Sequence, residues 1–187
     1  MPGTTTGRLS TAEERRSAVL AAAVRAFAAR GYYGTTTADV AKGAGISQAY
    51  VYRLFPDKEA LFVAVVEHCL RLIRERLGEG VARARSTEPG AVLAAMAEGY
   101  ARLVNDRDAL MVLMHATCAT SEPPIRDAVQ GLYSRLVEYV RSVSGASEED
   151  VQAFFARGFL CNATVAIGAT EVDAPWARTL LAGIRHY

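Results

Sequence analysis

The chain has 187 residues, of which 51% are hydrophobic and 22% are charged, with a formal net charge of +1 at pH 7. This composition is typical of a folded protein with a sizeable core, and it excludes both an intrinsically disordered chain and a polycation. The N-terminal stretch MPGTTTGRLS has no apolar signal-peptide core, and no uninterrupted apolar run reaches membrane-spanning length. We therefore expect a soluble cytoplasmic protein of one domain, or of a small domain attached to a larger one.

Charge is distributed unevenly along the chain. Residues 1–60 carry eight Lys and Arg residues against five Asp and Glu residues, whereas the remainder carries thirteen against fifteen. A positive N-terminal part beside a slightly negative remainder fits a small DNA-binding head on a neutral body, although an ordinary solvated surface also accounts for so small an excess.

The first predicted helix follows a short arm. Residues 1–9 contain one charge, Arg8, and are either a disordered start or an arm that reaches a minor groove. The helix begins at Ser10 or Thr11, and apolar residues then recur at helical spacing as far as Phe27. This face is expected to pack under the next two helices, and Gly31 is expected to end the helix.

Residues 36–58, TTADVAKGAGISQAYVYRLFPDK, predict two short helices joined by a tight turn. Thr36 and Asp39 have the spacing of a capping box at the start of the first helix. Gly45 fits the left-handed residue that stops this helix, and Ser47 is a good N-cap for the second. Two helices joined by a short glycine-containing turn form the helix-turn-helix motif, whose second helix enters the DNA major groove.

At these residues the chain resembles the TetR family of one-component transcriptional regulators. The matching positions are Phe27, Gly31, Tyr32, Thr35, Thr36, Val40, Ala41, Ala44, Gly45, Ile46, Ser47, Tyr52, Phe55, Lys58, Glu59 and Leu61. So many agreements at fixed offsets are far more specific than a single short motif. The resemblance covers about the first third of the chain, and beyond it the match is only one of length and helical character.

The residues of the motif divide into structural and DNA-facing sets. Val51 and Phe55 point back to the first helix of the motif, whereas Gln48 and Tyr50 lie at the start of the second helix, which meets base edges. Glutamine pairs with adenine, and tyrosine contacts a thymine methyl group or a phosphate. For each single residue, ordinary protein surface is the alternative. The predicted DNA-binding residues are Thr36, Thr37, Gln48, Ala49, Tyr50, Tyr52, Arg53 and Lys58.

Two residues depart from the family pattern. Leu54 stands where the family usually has a His or Tyr that touches a phosphate, and Ala38 stands where some members have a basic residue that reads a base. The resemblance therefore implies weaker binding than in those members, with the mode of binding unchanged.

The remainder of the chain predicts a helical body. Asp57 caps a long helix that runs to about Leu77, and Gly78, Gly80 and residues 86–90 mark a loop. Further helices are predicted over residues 91–105, 109–120, 125–143, 148–171 and 176–184. The fold is thus predicted to be all-α with about nine helices: a three-helix DNA-binding head over residues 1–56 and a helical ligand-binding and dimerisation bundle over residues 57–187.

The two C-terminal helices carry more apolar surface than one partner can cover. We expect them to pair with their copies in a second chain as a four-helix bundle with two-fold symmetry. The family resemblance implies the same homodimer.

Family members commonly bind a small, often apolar effector between the middle helices. Methionine and aromatic residues at helical spacing are more often core than pocket, and that alternative stays open for every candidate. His115 is the preferred polar group, because an isolated imidazole in an apolar helix needs a partner or a ligand. The candidate lining consists of Leu70, Met96, Tyr100, Met111, Met114, His115, Cys118, Tyr133 and Phe159.

The sequence offers little chemistry for catalysis. His115 and Cys118 lie at i and i+3, which would be half of a metal site, but no second pair has ligand spacing. Cys69, Cys118 and Cys161 are far apart in apolar stretches, so we expect buried thiols in a reducing compartment. We therefore predict a DNA-binding repressor released by an effector, with no enzyme activity, metal or cofactor. The alternative is a ligand-binding or protein-partner helical module with weak or no specific DNA binding.

Overall fold

The computed structural model describes residues 12–104 and 107–183, and in these ranges the chain is entirely helical apart from its connections. Nine α-helices and one short 3₁₀ turn are present there, without a strand, which confirms the predicted all-α class. The helices are α1 (Ala12–Gly34), α2 (Thr37–Ala44), α3 (Gln48–Leu54), α4 (Lys58–Val81), α5 (Pro89–Val104), α6 (Arg107–Cys118), α7 (Pro123–Ser144), α8 (Glu148–Ala166) and α9 (Pro175–Leu181). None of the described helices is long and apolar enough to span a bilayer.

Local capping sets the bounds of α2 and α3, as the sequence predicts. The hydroxyl of Thr36 accepts a hydrogen bond from the backbone N–H of Asp39, and the Asp39 carboxylate accepts one from the backbone N–H of Thr36 at 2.9 Å. Gly45 adopts φ 67° and ψ 32°, the left-handed conformation that ends a helix without steric strain. Ser47 then caps α3 by accepting from the backbone N–H of Tyr50.

Gly31 interrupts α1 with φ 66° and ψ −177°, and one further turn follows to Gly34. A β-carbon at Gly31 would lie 2.9 Å from Nδ1 of His115, so the position requires glycine for both its backbone angle and its space. The predicted end of the helix at Gly31 thus corresponds to a kink, and α1 continues to Gly34. The predicted start at Ser10 or Thr11 lies outside the described residues.

The predicted loop at Gly78 and Gly80 is wrong, because α4 continues through both residues to Val81. A β-carbon at Gly80 would lie 2.1 Å from the backbone oxygen of Ala95, and one at Gly99 would lie 2.1 Å from that of Arg76. The two glycines thus allow the backbones of α4 and α5 to touch. In this case glycine marks a close helix crossing rather than a helix end.

The predicted helix over residues 148–171 is too long. The helix α8 ends at Ala166, Gly168 turns the chain with φ 68°, and a 3₁₀ turn covers Ala169–Glu171. The last helix α9 ends at Leu181, and the predicted end at residue 184 lies outside the described residues.

Head and body share one continuous hydrophobic core rather than two separate ones. The cluster runs from Val19 in α1 through α4 to Val151 in α8. At its centre, the ring of Phe27 meets that of Phe62 edge-on at 4.7 Å between centroids. Since α1 also packs along α6, the head is anchored to two helices of the body.

Candidate nucleic-acid interface

The helix α3 presents a short polar face, because its apolar side is held against the rest of the head. Val51 and Phe55 are buried, whereas Gln48, Ala49 and Arg53 are exposed and Tyr52 is 47% exposed. Leu54, at the end of α3, is half-buried and packs against the core.

A chain of side-chain hydrogen bonds joins α2 to the exposed face of α3. Thr37 is only 5% exposed, and its hydroxyl accepts from Nε2 of Gln48 at 2.8 Å and donates to the hydroxyl of Tyr52 at 3.0 Å. These bonds restrict the rotamers of Gln48 and Tyr52. They leave the amide oxygen of Gln48 and the phenolic proton of Tyr52 unused, and these groups suit a base edge and a phosphate oxygen.

Thr37 and Lys58 both have hydrogen-bond partners within the protein, and their predicted contacts with the DNA backbone stay a prediction. The Thr37 hydroxyl is buried and engaged between two neighbours, so its contribution to the surface is the backbone at the start of α2. The ammonium group of Lys58 donates to the backbone oxygen of Tyr32 at 3.1 Å and lies 4.1 Å from the Tyr32 ring centroid. Lys58 thus ties the start of α4 to the end of α1.

Three arginines surround the remaining side of α3. The guanidinium groups of Arg53 and Arg15 lie 4.4 Å and 5.6 Å from the ring centroid of Tyr50. Arg16 donates to the backbone oxygen of Leu54 at 3.1 Å and stacks over the ring of Phe55. The three guanidinium groups carry positive charge beside α3, which is what a phosphate backbone requires of a binding surface.

Asp39 lies in the first turn of α2, where an unpaired carboxylate would repel a nearby phosphate. Hydrogen bonds from Thr36, followed by the neighbouring guanidinium of Arg30 at 3.0 Å, lower the pKa of Asp39 from 3.8 to about 2. Its charge is thus directed into the cap of α2 and compensated there.

The body contains a partly open cavity of about 460 Å³ that is lined mainly by residues of α4, α5, α6, α7 and α8. Three of the predicted effector-pocket residues line it, namely Tyr100, Tyr133 and Phe159. The predicted residues that lie outside this cavity are Leu70, Met96, Met111, Met114, His115 and Cys118.

The reasons for this difference are visible in the packing. Leu70 and Met96 are buried in the common core, and the imidazole of His115 lies against Gly31 in the head. Cys118 is exposed at the end of α6, so the expectation of a buried thiol holds for Cys69 and Cys161 but is wrong here. The helix α6 is half-buried along much of its length because it packs between α1 and the body, rather than at the centre of a bundle.

Sequence reasoning missed several lining residues of α8. Phe154, Phe155 and Asn162 all line the cavity, together with Leu113 from α6. The available signal was Asn162, a single amide in an otherwise apolar stripe. The hydroxyl of Tyr100 donates to Oδ1 of Asn162 at 2.7 Å, and burial raises the pKa of this phenol, which therefore stays neutral.

The outer surface formed by α8, the 3₁₀ turn and α9 exposes large apolar side chains. Ile167 is 62% exposed and Trp176 is 48% exposed. The other large apolar residues exposed on this surface are Phe159, Leu160, Val172 and Leu180. Such a concentration on one face is typical of a surface that another molecule covers.

The described ranges contain no cluster of three His, Cys, Asp or Glu side chains arranged to hold a metal ion. The fold and the exposed helix α3 together define a helix-turn-helix protein with a helical body.

Comparisons with known proteins identify the family. Residues 19–65 match the model for bacterial regulatory proteins of the tetR family. The HTH-type transcriptional regulator RutR of Escherichia coli K12 is 39% identical over 67 residues, which are 35% of this chain and 32% of RutR. The chain thus spans about a third of the length of this relative.

Solved structures extend the likeness to the whole chain. A TetR-like regulator from Rhodococcus sp. RHA1 has a TM-score of 0.67 at 27% identity, covering 95% of this chain and 96% of that one. FadR of Bacillus subtilis, solved with stearoyl-CoA, has a TM-score of 0.65 at 18% identity, covering 89% and 95%. The head of this chain therefore matches the tetR family model, and the chain as a whole has the fold of TetR-like regulators.

Proposed function

We propose that this protein is a cytoplasmic transcriptional repressor that binds a near-palindromic operator as a homodimer and is released by a small molecule. The exposed start of α3, with Gln48 and Tyr52 held by Thr37, carries this proposal. A preorganised acceptor and donor on a short exposed helix is what major-groove recognition requires. We also propose that the functional division falls after residue 56, where α4 begins the body.

Within the head, we assign base reading to Gln48, with Ala49 and Tyr50 beside it. Contacts with the DNA backbone are assigned to Tyr52, Arg53 and the start of α2 at Thr36 and Thr37. Lys58 stabilises the head rather than contacting DNA. Two copies of α3 would lie in successive major grooves, about 34–36 Å apart or at a multiple of that spacing.

The exposed apolar surface of α8 and α9 supports the homodimer. Pairing with a second copy would place Ile167, Trp176 and Leu180 in a common interface and remove them from water. Light scattering should give twice the mass of one chain, and an Ile167→Asp variant should shift the protein toward the monomer. An unchanged mass for that variant would place the interface elsewhere.

Two helices link the cavity to the head and support release by an effector. On α6, Leu113 lines the cavity while His115 packs against Gly31 of α1. On α4, Ile73 and Leu77 line the cavity, and the same helix begins just after α3. A ligand that binds better to one position of these helices therefore shifts the heads and lowers DNA affinity by that difference.

The direct test is operator binding, measured by fluorescence anisotropy on the upstream intergenic DNA and on sequences selected from a random pool. We expect Gln48→Ala and Tyr50→Ala to weaken specific binding by about tenfold or more, since each removes a base or phosphate contact. Arg83→Ala, which removes a charge from the exposed α4–α5 connection, is the matched control. Parent-like affinity of both head variants would refute the assignment of α3.

A second candidate is a ligand-binding or protein-partner module whose head binds DNA weakly and without specificity. It is favoured by Leu54 and Lys58, because both side chains are used inside the protein rather than at a phosphate. The salt dependence of DNA affinity separates the two functions. A shallow slope indicates few phosphate contacts and supports the second candidate. A steep slope supports the repressor only if operator DNA also binds more tightly than random DNA at the same salt concentration.

A further inference from the structure

We propose that the body cavity takes an uncharged, ring-containing ligand with one hydrogen-bond-accepting oxygen, which the side-chain amide of Asn162 holds. The inference rests on the proposed function, since it assigns a chemical class to the effector of the same site. It follows from three features of the cavity: its aromatic walls, its neutral polar pair and the position of its charges.

The walls are rich in aromatic rings. Tyr100, Tyr133, Phe154, Phe155 and Phe159 all line the cavity. The rings of Tyr133 and Phe159 lie 5.6 Å apart and are tilted by 41°, while those of Phe154 and Phe155 meet edge-on at 5.5 Å. Rings set at angles to one another offer both faces and edges, which suits a flat ring system that is stacked on one side and met edge-on at another. The volume of about 460 Å³ is in the range of small-molecule sites.

Tyr100 and Asn162 form a neutral polar pair in the wall of the cavity, and this pair has unused hydrogen-bond donors. The Tyr100 hydroxyl donates its single proton in a hydrogen bond to Oδ1 of Asn162. The amide nitrogen of Asn162 carries two further N–H donors, and neither is used in this bond. A hydroxyl, carbonyl or ether oxygen on the ligand satisfies such a donor, whereas a purely apolar ligand leaves it unsatisfied at a cost in affinity.

Charges occur only at the rim among the described residues that line the cavity. They are Glu98, Asp150 and Arg157, and all three side chains are exposed. A carboxylate or phosphate inside would meet neutral groups and lose its hydration without a compensating cation. Stearoyl-CoA, the molecule found in the structure of Bacillus subtilis FadR, carries several phosphate charges, and a rim with two carboxylates and one guanidinium does not favour it.

A charge series on one ring system tests this class directly. The probes are 1-pyrenemethanol, 1-pyrenecarboxylate, 1-pyrenemethylammonium and unsubstituted pyrene, which share four fused rings and are fluorescent. We expect the full-length protein to bind the alcohol at least about tenfold more tightly than the carboxylate and the ammonium compound, because a charged group loses far more hydration free energy on entry than a hydroxyl group does. Stearoyl-CoA is included as an anionic comparison and is expected to bind weakly.

The role of Asn162 is tested with Asn162→Leu, which keeps the approximate volume and removes the donor. This change should lower the affinity for 1-pyrenemethanol about tenfold relative to the affinity for pyrene, since one hydrogen bond to the ligand is lost. Gln130→Leu on the exposed surface of α7 is the matched control and should leave both affinities unchanged. Thermal unfolding checks that each variant is folded. The charge series is measured on the parent protein and therefore does not depend on the folding of Asn162→Leu or Gln130→Leu.

The outcomes separate this inference from the proposed function. Tighter binding of the carboxylate or of stearoyl-CoA, or no binding of the alcohol, would overturn the assigned class, whatever the protein does on DNA. Preferential binding of the alcohol by a protein that does not bind its operator would support the class and refute the repressor. Preferential binding with release from DNA supports both.

Discussion

Replacing Gly80 by alanine should destabilise the protein, although alanine is the better helix former. The added β-carbon would lie 2.1 Å from the backbone oxygen of Ala95 and 3.2 Å from Cα of Met96. A carbon–oxygen contact needs about 3.3 Å, so α4 and α5 would have to separate by roughly 1 Å. Both contacting groups are backbone, and therefore no side-chain rotation can relieve the overlap.

The size of the effect follows from two opposing terms. Overpacking of a core costs about 1–3 kcal/mol, and a clash of backbone with backbone belongs at or above the upper end. The helix propensity of alanine returns about 1 kcal/mol. The net loss should therefore be about 2 kcal/mol, which lowers the melting temperature of a chain of this size by about 4–8 °C.

The matched control is Gly131→Ala in α7. There the added β-carbon meets only the guanidinium of Arg135, at an ordinary 3.8 Å. This variant should gain about 0.5–1 kcal/mol from helix propensity alone. Both variants are compared with the parent by urea unfolding followed by circular dichroism, at one protein concentration. A free energy of unfolding for Gly80→Ala that is equal to or higher than that of the parent would refute the close α4–α5 crossing.

Three further predictions concern the head. Because the pKa of Asp39 is lowered from 3.8 to about 2, its carboxylate stabilises the folded state fully above pH 3.8, and this contribution is lost as the pH falls toward about 2. The urea midpoint of Asp39→Asn should therefore depend less steeply on pH over that interval than that of the parent. Burial, followed by nearby Glu59 and Glu122, raises the pKa of Tyr32 from 10.0 to about 12. The contribution of the protonated phenol to stability is therefore present below pH 10 and is lost as the pH rises toward 12. Tyr32→Phe should lose less stability than the parent over that interval, again measured by the urea midpoint. Thr37→Val should weaken specific operator binding by about three- to tenfold, because Gln48 and Tyr52 lose the hydrogen bonds that orient them, while Thr37→Ser should bind like the parent. Equal affinity of these two variants would show that the Thr37 hydroxyl does not position α3.

The helix α6 contacts both the cavity and the head. Leu113 lines the cavity, and His115, two positions further along α6, contacts Gly31 in the head. A side chain at Gly31 would therefore disturb both the backbone of α1 and the seat of His115. This arrangement explains why the most constrained glycine of the head lies against the body.

Much of the head follows from the sequence because its signals are local. The capping box of Thr36 and Asp39, the left-handed Gly45 and the N-cap Ser47 each act within a few residues of their own position. Val51 and Phe55 are buried as their spacing predicts, because a short amphipathic helix has only one face to bury. The family resemblance rests on the same residues, and this is where the comparison with known proteins is strongest.

The cavity and the finer roles of the site residues depend on tertiary packing. Glycine alone does not reveal whether a helix stops or meets a neighbour, and only the approach of α5 shows that Gly80 lies inside α4. Likewise His115 and Tyr100 are both polar groups in apolar helices, and their different neighbours place one at the head junction and the other in the cavity. Local backbone preferences are encoded by adjacent residues, whereas the side that each helix buries depends on contacts between residues far apart in the chain.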